Sequence, residues 1–219
     1  MYNRHVPPAV APPRPKRRTQ KERREATWTA LLEATIDCLV RHGYRNMTTR
    51  GIADRAGVSQ GALEHHFASK AELVSEATLY LMAKLTKDLL REAPPTDLPL
   101  LLRAEEVFKR TWEVYKGPPV EAAMELWIAA RTDPELRDRL LAVERDMSAL
   151  VTTAGSTLYP EVAGRAGFAE LSATALAAMR GLAVLGYVDP DARDRAWPWT
   201  LAHLLRLTAD LEHGARAPR

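Results

Sequence analysis

Twenty residues, "TTRGIADRAGVSQGALEHHF" (Thr48 to Phe67), leave the chain little choice of local structure. Thr48 or Thr49 can cap a helix in which Ile52, Ala53 and Ala56 share one face. Gly57 breaks that helix, and Ser59 is placed to cap a second short helix carrying Leu63 and Phe67. Upstream, Trp28, Leu31, Leu32, Thr35, Ile36 and Leu39 recur at helical spacing as one apolar stripe. A longer helix therefore runs from about Gln20 and ends at Gly43. A long helix followed by two short ones around a glycine turn is a helix-turn-helix layout. The short helices bury one face, which leaves the outer face of the second for the DNA major groove.

The remainder carries the same helical punctuation. "SKAE" (Ser69 to Glu72) is a capping box that opens a helix to about Arg91, and "REAPPTDLP" is a loop. A further helix runs to about Lys116. "GPP" (Gly117 to Pro119) closes it and starts the next, to about Arg131. "TDPEL" supplies Asp133 as cap and Pro134 in the first turn of a helix reaching about Ala154. A looser stretch, Gly155 to Gly167, precedes two last helices, 168–187 and 189–213, with Pro198 expected to kink or split the second. No strand pattern competes. The expected fold is all-α: a helix-turn-helix domain at residues 19–73 and a larger helical domain at 74–219, after a Pro-rich arm at 1–18.

Charge is unevenly spread along the chain. Residues 1–24 hold eight Lys/Arg against one acid, residues 25–70 five against five, and residues 71–219 eighteen against twenty-two. Five prolines in residues 1–18 and nothing there to bury suggest a mobile arm. It either meets a polyanion or only solubilises the chain. A single cysteine, Cys38, excludes an internal disulfide framework and fits a reducing compartment; it reads as a packed residue of the first helix. The N-terminus lacks the apolar core of a secretory signal. The most apolar stretch, Leu171 to Val188, is interrupted by Arg180 and reads as a buried helix rather than a membrane span. The expected location is the cytoplasm, with no membrane partner.

His65 and His66 are adjacent, so on a helix they point about 100° apart, which does not suit a metal pair. No paired-carboxylate, nucleophile–base or glycine-rich phosphate motif stands out, so neither enzyme, metal nor cofactor chemistry is expected. Phe108, Trp112, Tyr115, Met124, Trp127, Met147 and Met179 offer large, adaptable apolar surface. They could be ordinary core, or could line a pocket for an apolar or aromatic ligand. "ELSATALAAMRGLAVLG" (Glu170 to Gly186) is rich in small residues and permits close helix approach, within the chain or in a four-helix dimer interface with the last helix.

The string from Thr48 to Leu73, with "IADRAGVS" followed by Leu63, His66, Phe67, Ser69, Lys70 and Leu73, resembles the DNA-binding signature of the TetR family of bacterial transcriptional regulators. The likeness runs from Trp28 to about Leu73. "ELWIAARTDPELR" (Glu125 to Arg137) is a weaker one. The resemblance implies a homodimer joined through its last two helices. It would repress from a palindromic operator on double-stranded DNA and be released by a small-molecule effector. Activation, ligand-independent regulation, or an all-α enzyme using the C-terminal cavity are the alternatives.

Carried onto this chain, the resemblance has Thr48 and Thr49 present a helix N-terminus to phosphate, with Arg50 reaching a base edge or phosphate. Ser59, Gln60 and Gly61 open the recognition helix; Gln60 can pair with adenine, and Gly61 allows close backbone approach. His65, His66 and Lys70 would hold the DNA backbone. Glu64 departs from the family's usual tyrosine. It could accept from a cytosine amino group, pair with Arg50 or His65, or remain solvated.

Overall fold

The computed structural model describes residues 19–214, and within them the fold is all-α, nine helices with no strand. The expected arm, residues 1–18, lies outside the described residues. Helix α1 (Gln20–Asn46) opens on a capping box, the T-x-x-E of Thr19 to Glu22: Thr19 Oγ1 accepts the Glu22 N–H at 3.2 Å, and Glu22 accepts the Thr19 N–H at 2.7 Å. Helices α2 (Thr49–Ala56) and α3 (Gln60–His66) follow, capped by Thr48 and Ser59. Between them Gly57 takes the left-handed conformation, φ 68° and ψ 30°. Leu31, Leu32, Ile52, Leu63 and Phe67 close a dry core between the three.

Helix α4 (Lys70–Arg91) carries the chain from this head into the body, so the boundary expected at residue 73 falls inside a helix rather than at a linker. The body adds α5 (Leu100–Tyr115), α6 (Pro118–Ala129), α7 (Pro134–Leu158), α8 (Phe168–Leu185) and α9 (Pro190–Glu212). The head's core does not stop at the head. Leu126 of α6 and Leu136, Leu140 and Val143 of α7 belong to the same buried cluster as Leu31 and Ile52. A second cluster, around Trp112, Met124, Phe168, Met179 and Leu204, belongs to the body alone.

Three expected breaks fall differently. Gly43 interrupts α1 at φ 67°, ψ 166°, but helical structure resumes for another turn to Asn46. The interruption is a docking point. The Tyr44 N–H beyond it donates to Glu125 of α6 at 3.1 Å, and a Cβ on Gly43 would stand 2.6 Å from that carboxylate. Helix α7 runs through Gly155 to Leu158, because the missing side chain admits the Phe168 ring, whose edge a Cβ would meet at 2.5 Å. Helix α9 runs through Pro198 as one helix; Pro198 and Asp194, whose carbonyl loses its partner there, are both exposed and can be hydrated.

Helix α8 is buried along one face only. Leu171, Ala175, Met179 and Ala183 face inward, whereas Ala173, Ala177, Gly181 and Val184 are exposed. It is long and apolar enough to cross a membrane by length and composition, yet only 22% of it is buried. Helix α9, packed against it, exposes 73% of Trp199.

Candidate nucleic-acid interface and the body cavity

Each end of the two short helices is satisfied locally, which fixes what they present outward. Thr48 Oγ1 accepts the Gly51 N–H at 3.1 Å and Ser59 Oγ accepts the Ala62 N–H at 3.2 Å. Arg50 is exposed without a protein partner among the described residues. Gly61 is exposed, and a Cβ there would meet nothing within 4 Å, so the fold itself does not require glycine.

Glu64 has a partner that the sequence reading did not consider. Its Oε1 accepts from Gln60 Nε2 at 2.8 Å, one helical turn away, and the same Nε2 donates to Thr49 Oγ1 at 3.3 Å. Gln60 thereby ties α3 to α2, while its Oε1 is buried without a partner. Arg50 and His65 make no bond to Glu64.

His65 is exposed and His66 half-buried, their ring centroids 6.0 Å apart and nearly perpendicular. Burial holds the His66 imidazole below its ordinary pKa, helped by the charges of Arg24 and His65. Arg24, counted from sequence with the basic N-terminal run, therefore stands beside α3. Among the described residues no group of three His, Cys, Asp or Glu side chains could hold a metal ion.

Lys70 points elsewhere. Its ammonium donates to the Tyr44 carbonyl and lies 4.2 Å from the centre of the Tyr44 ring; burial lowers its pKa, with Asp133 opposing. It belongs to a polar clamp between head and body. The Tyr44 hydroxyl donates to Asp133 Oδ2 at 3.0 Å, Ser69 donates to Glu135, and Arg139 reaches Glu72 at 3.6 Å. Burial and the Asp133 carboxylate push Tyr44 up to about 12. Asp133 also caps α7 by accepting the Leu136 N–H at 3.0 Å. Glu125, Asp133 and Glu135 all lie in "ELWIAARTDPELR", so the body segment picked out by resemblance is the one gripping the head.

In the body a partly open cavity of about 160 Å³ lies between α4, α5, α7 and α8. Of the seven expected pocket residues, Phe108, Tyr115, Met147 and Met179 line it, and Trp112, Met124 and Trp127 do not. Trp112 is buried and stacks on Trp197, centroids 4.7 Å apart. Met124 is buried in the body core. Trp127 donates to Glu144 at 2.8 Å and lies under the Arg180 guanidinium, 5.4 Å from its ring centre. Tyr159, between α7 and α8, is a wall residue absent from the sequence expectation. Its position just past a glycine in a region read as loose gave no helical spacing to place it. No charged side chain lines the cavity; its polar groups are the hydroxyls of Thr86, Thr111, Ser172, Tyr115 and Tyr159.

Residues 31–77 match the family described as "Bacterial regulatory proteins, tetR family". Over 151 residues the chain is 31% identical to an HTH-type transcriptional regulator of Mycobacterium bovis, covering 66% of this chain and 76% of that one. Over 46 residues it is 50% identical to the HTH-type transcriptional repressor KstR2 of Mycobacterium tuberculosis, 21% of this chain and 23% of that one. Among solved structures, a transcriptional regulator from Rhodococcus sp. Rha1 has the same fold, with TM-score 0.61, 23% identity, and 87% and 99% of the two chains covered.

Proposed function

The chain belongs to the TetR family of bacterial transcriptional regulators, and from that premise we propose that it is a homodimeric repressor. It occupies a palindromic operator until a small apolar or aromatic effector enters the body cavity. One observation carries this: a DNA-reading head shares a single buried core with α6 and α7, and α7 is also a wall of the cavity. An effector that moves α7 acts on the head directly. The cavity matches in size an engineered cavity of about 150 Å³ that takes benzene. Its wall offers hydroxyls but no acid–base pair, which favours binding over turnover.

Four further features fit this function. Gly61 is free of any structural demand, so its smallness serves the approach of the recognition helix to DNA. Thr48, Thr49, Ser59, His65 and His66 cluster around that helix as phosphate and register contacts, with Arg50 able to reach further. The apolar outer faces of α8 and α9, with Trp199 at 73%, Val184 at 42% and Leu207 at 41% exposure, form the dimer interface. The basic residues 1–24 add sequence-independent affinity. A regulator of this kind works in the cytoplasm.

Selecting DNA from a random pool with the full-length protein tests the proposal. The expected outcome is a two-fold symmetric site with half-sites about 34–36 Å apart or somewhat more, bound by two protomers. An asymmetric site bound by a single protomer would sink it.

A further inference from the structure

Tyr159 is a phenol held in place on three sides, with nothing to bond to. Its N–H donates to the Gly155 carbonyl at 2.8 Å, its ring meets Phe168 at 6.2 Å, and the Arg103 guanidinium lies 5.8 Å from its centre. Arg103 is itself fixed. It is buried, donates to the carbonyls of Leu98 at 2.9 Å and Leu158 at 2.6 Å, and pairs with Glu161. The ring of Tyr159 therefore has a set position on the cavity wall, yet its hydroxyl is buried with no protein partner. A buried hydroxyl left unmet costs stability, so a group held in this way is poised for a partner from the cavity. Burial drives its pKa well above the ordinary tyrosine range, and it stays a protonated donor at any pH the protein meets.

We infer that the cavity takes a neutral, largely apolar single-ring compound bearing one acceptor oxygen, an aryl ketone in type, and that Tyr159 donates to that oxygen. The inference rests on the proposed effector role of the cavity. Neutrality follows from the wall. A carboxylate brought inside would leave water and find no cation, a large cost without a partner. Neither cation beside that wall is free: Arg180 is held by both oxygens of Glu144, at 3.0 and 3.4 Å, and Arg103 is paired with Glu161. Three of the other hydroxyls are committed: Thr111 donates to Val107 at 2.8 Å, Ser172 to Phe168 at 2.9 Å, and Tyr115 pairs with Arg180; Thr86, on α4, is the one other hydroxyl of this wall open to a ligand. A single ring fits the volume, close to that of a cavity that takes benzene, although a second space of about 300 Å³ adjoins it across Met147, Val151, Phe168, Ser172 and Leu176.

Ethylbenzene, acetophenone and benzoate share a ring and differ in the group that would face Tyr159. Calorimetric titration of each into the full-length protein should rank acetophenone above ethylbenzene by on the order of five-fold, with benzoate not binding. Tyr159→Phe, which keeps the ring and its Arg103 contact, should erase that preference and leave ethylbenzene affinity unchanged. Ala175→Leu, filling the cavity, should abolish binding of both neutral compounds. A ketone preference that survives in Tyr159→Phe, or benzoate binding as tightly as acetophenone, would overturn the anchor while leaving the cavity a binding site. No binding of any of the three to the folded wild-type protein would overturn the effector role and the anchor together.

Discussion

The head and the body are both built from helices and from the same kinds of residue, but they use apolar surface differently. In the head, Leu31, Leu32, Ile52 and Leu63 are at most 1% exposed and pack into one buried cluster. Its function is left to the outside, where Arg50, His65 and Glu64 stand exposed. In the body, Met147, Phe108 and Met179 surround a hole, and α8 and α9 turn further apolar residues out to solvent. A filled core makes a rigid reader, and a partly empty one leaves room for a ligand and for movement. The two are not separate units, since α6 contributes to both cores and α7 joins the head's core while walling the cavity.

The largest expected effect tests this difference directly. Leu31→Ala removes a fully buried side chain from the filled core and should cost about 2–5 kcal/mol in urea unfolding. Met147→Ala, at a half-buried position that already borders a cavity, should cost less than about 2 kcal/mol. Equal losses would mean that the body is packed as tightly as the head. Next in size is the outer face of the body. Trp199→Ala should weaken self-association by about 2–4 kcal/mol, as loss of an aromatic anchor does. Sedimentation would detect it, and an unchanged association constant would move the interface off α9.

How much of this was legible in the sequence follows the same division. The head is governed by local chemistry: Thr48 and Ser59 as caps and Gly57 in the left-handed region are signals within a few residues of what they control. Asp133–Pro134 and Asp189–Pro190 open α7 and α9 for the same reason. What misled the reading was long-range. Gly43 and Gly155 look like helix stops but are contact points for Glu125 and Phe168, residues 82 and 13 positions away. Helical spacing identified the large body residues but not the direction each faces, so Trp112, Met124 and Trp127 could not be separated from the four that line the cavity. One miss was local: Gln60 and Glu64 are a turn apart, a spacing at which a side-chain bond is to be expected.

That bond sets the third expected effect, within the head. Reading adenine needs both ends of the Gln60 amide, and its nitrogen is already shared between Glu64 and Thr49. Glu64→Ala should release it and sharpen the preference for adenine at the base pair facing Gln60, by about 1–3 kcal/mol. Unchanged base preference, measured by competitive binding to single-site variants of the selected operator, would show that Gln60 is no base reader.

The smallest effect lies at the seam where head and body meet. Tyr44→Phe keeps the ring that packs under the Lys70 ammonium and removes only the hydroxyl bonded to Asp133. Asp133 still caps α7 through its other oxygen, so the body helix should start as before. The loss should be that of one hydrogen bond to a charged acceptor, about 1–2 kcal/mol. Because Leu126, Leu136, Leu140 and Val143 bind head to body through apolar contact, unfolding should remain a single transition. The bond's own contribution should emerge when Asp133→Ala is combined with Tyr44→Phe. A double-mutant cycle should give a coupling of about 1 kcal/mol, and additive losses would show that the hydroxyl and carboxylate act independently. A split into two transitions would carry the larger consequence. The shared apolar core would then be too weak to bind the two regions, and the polar clamp would be their principal connection.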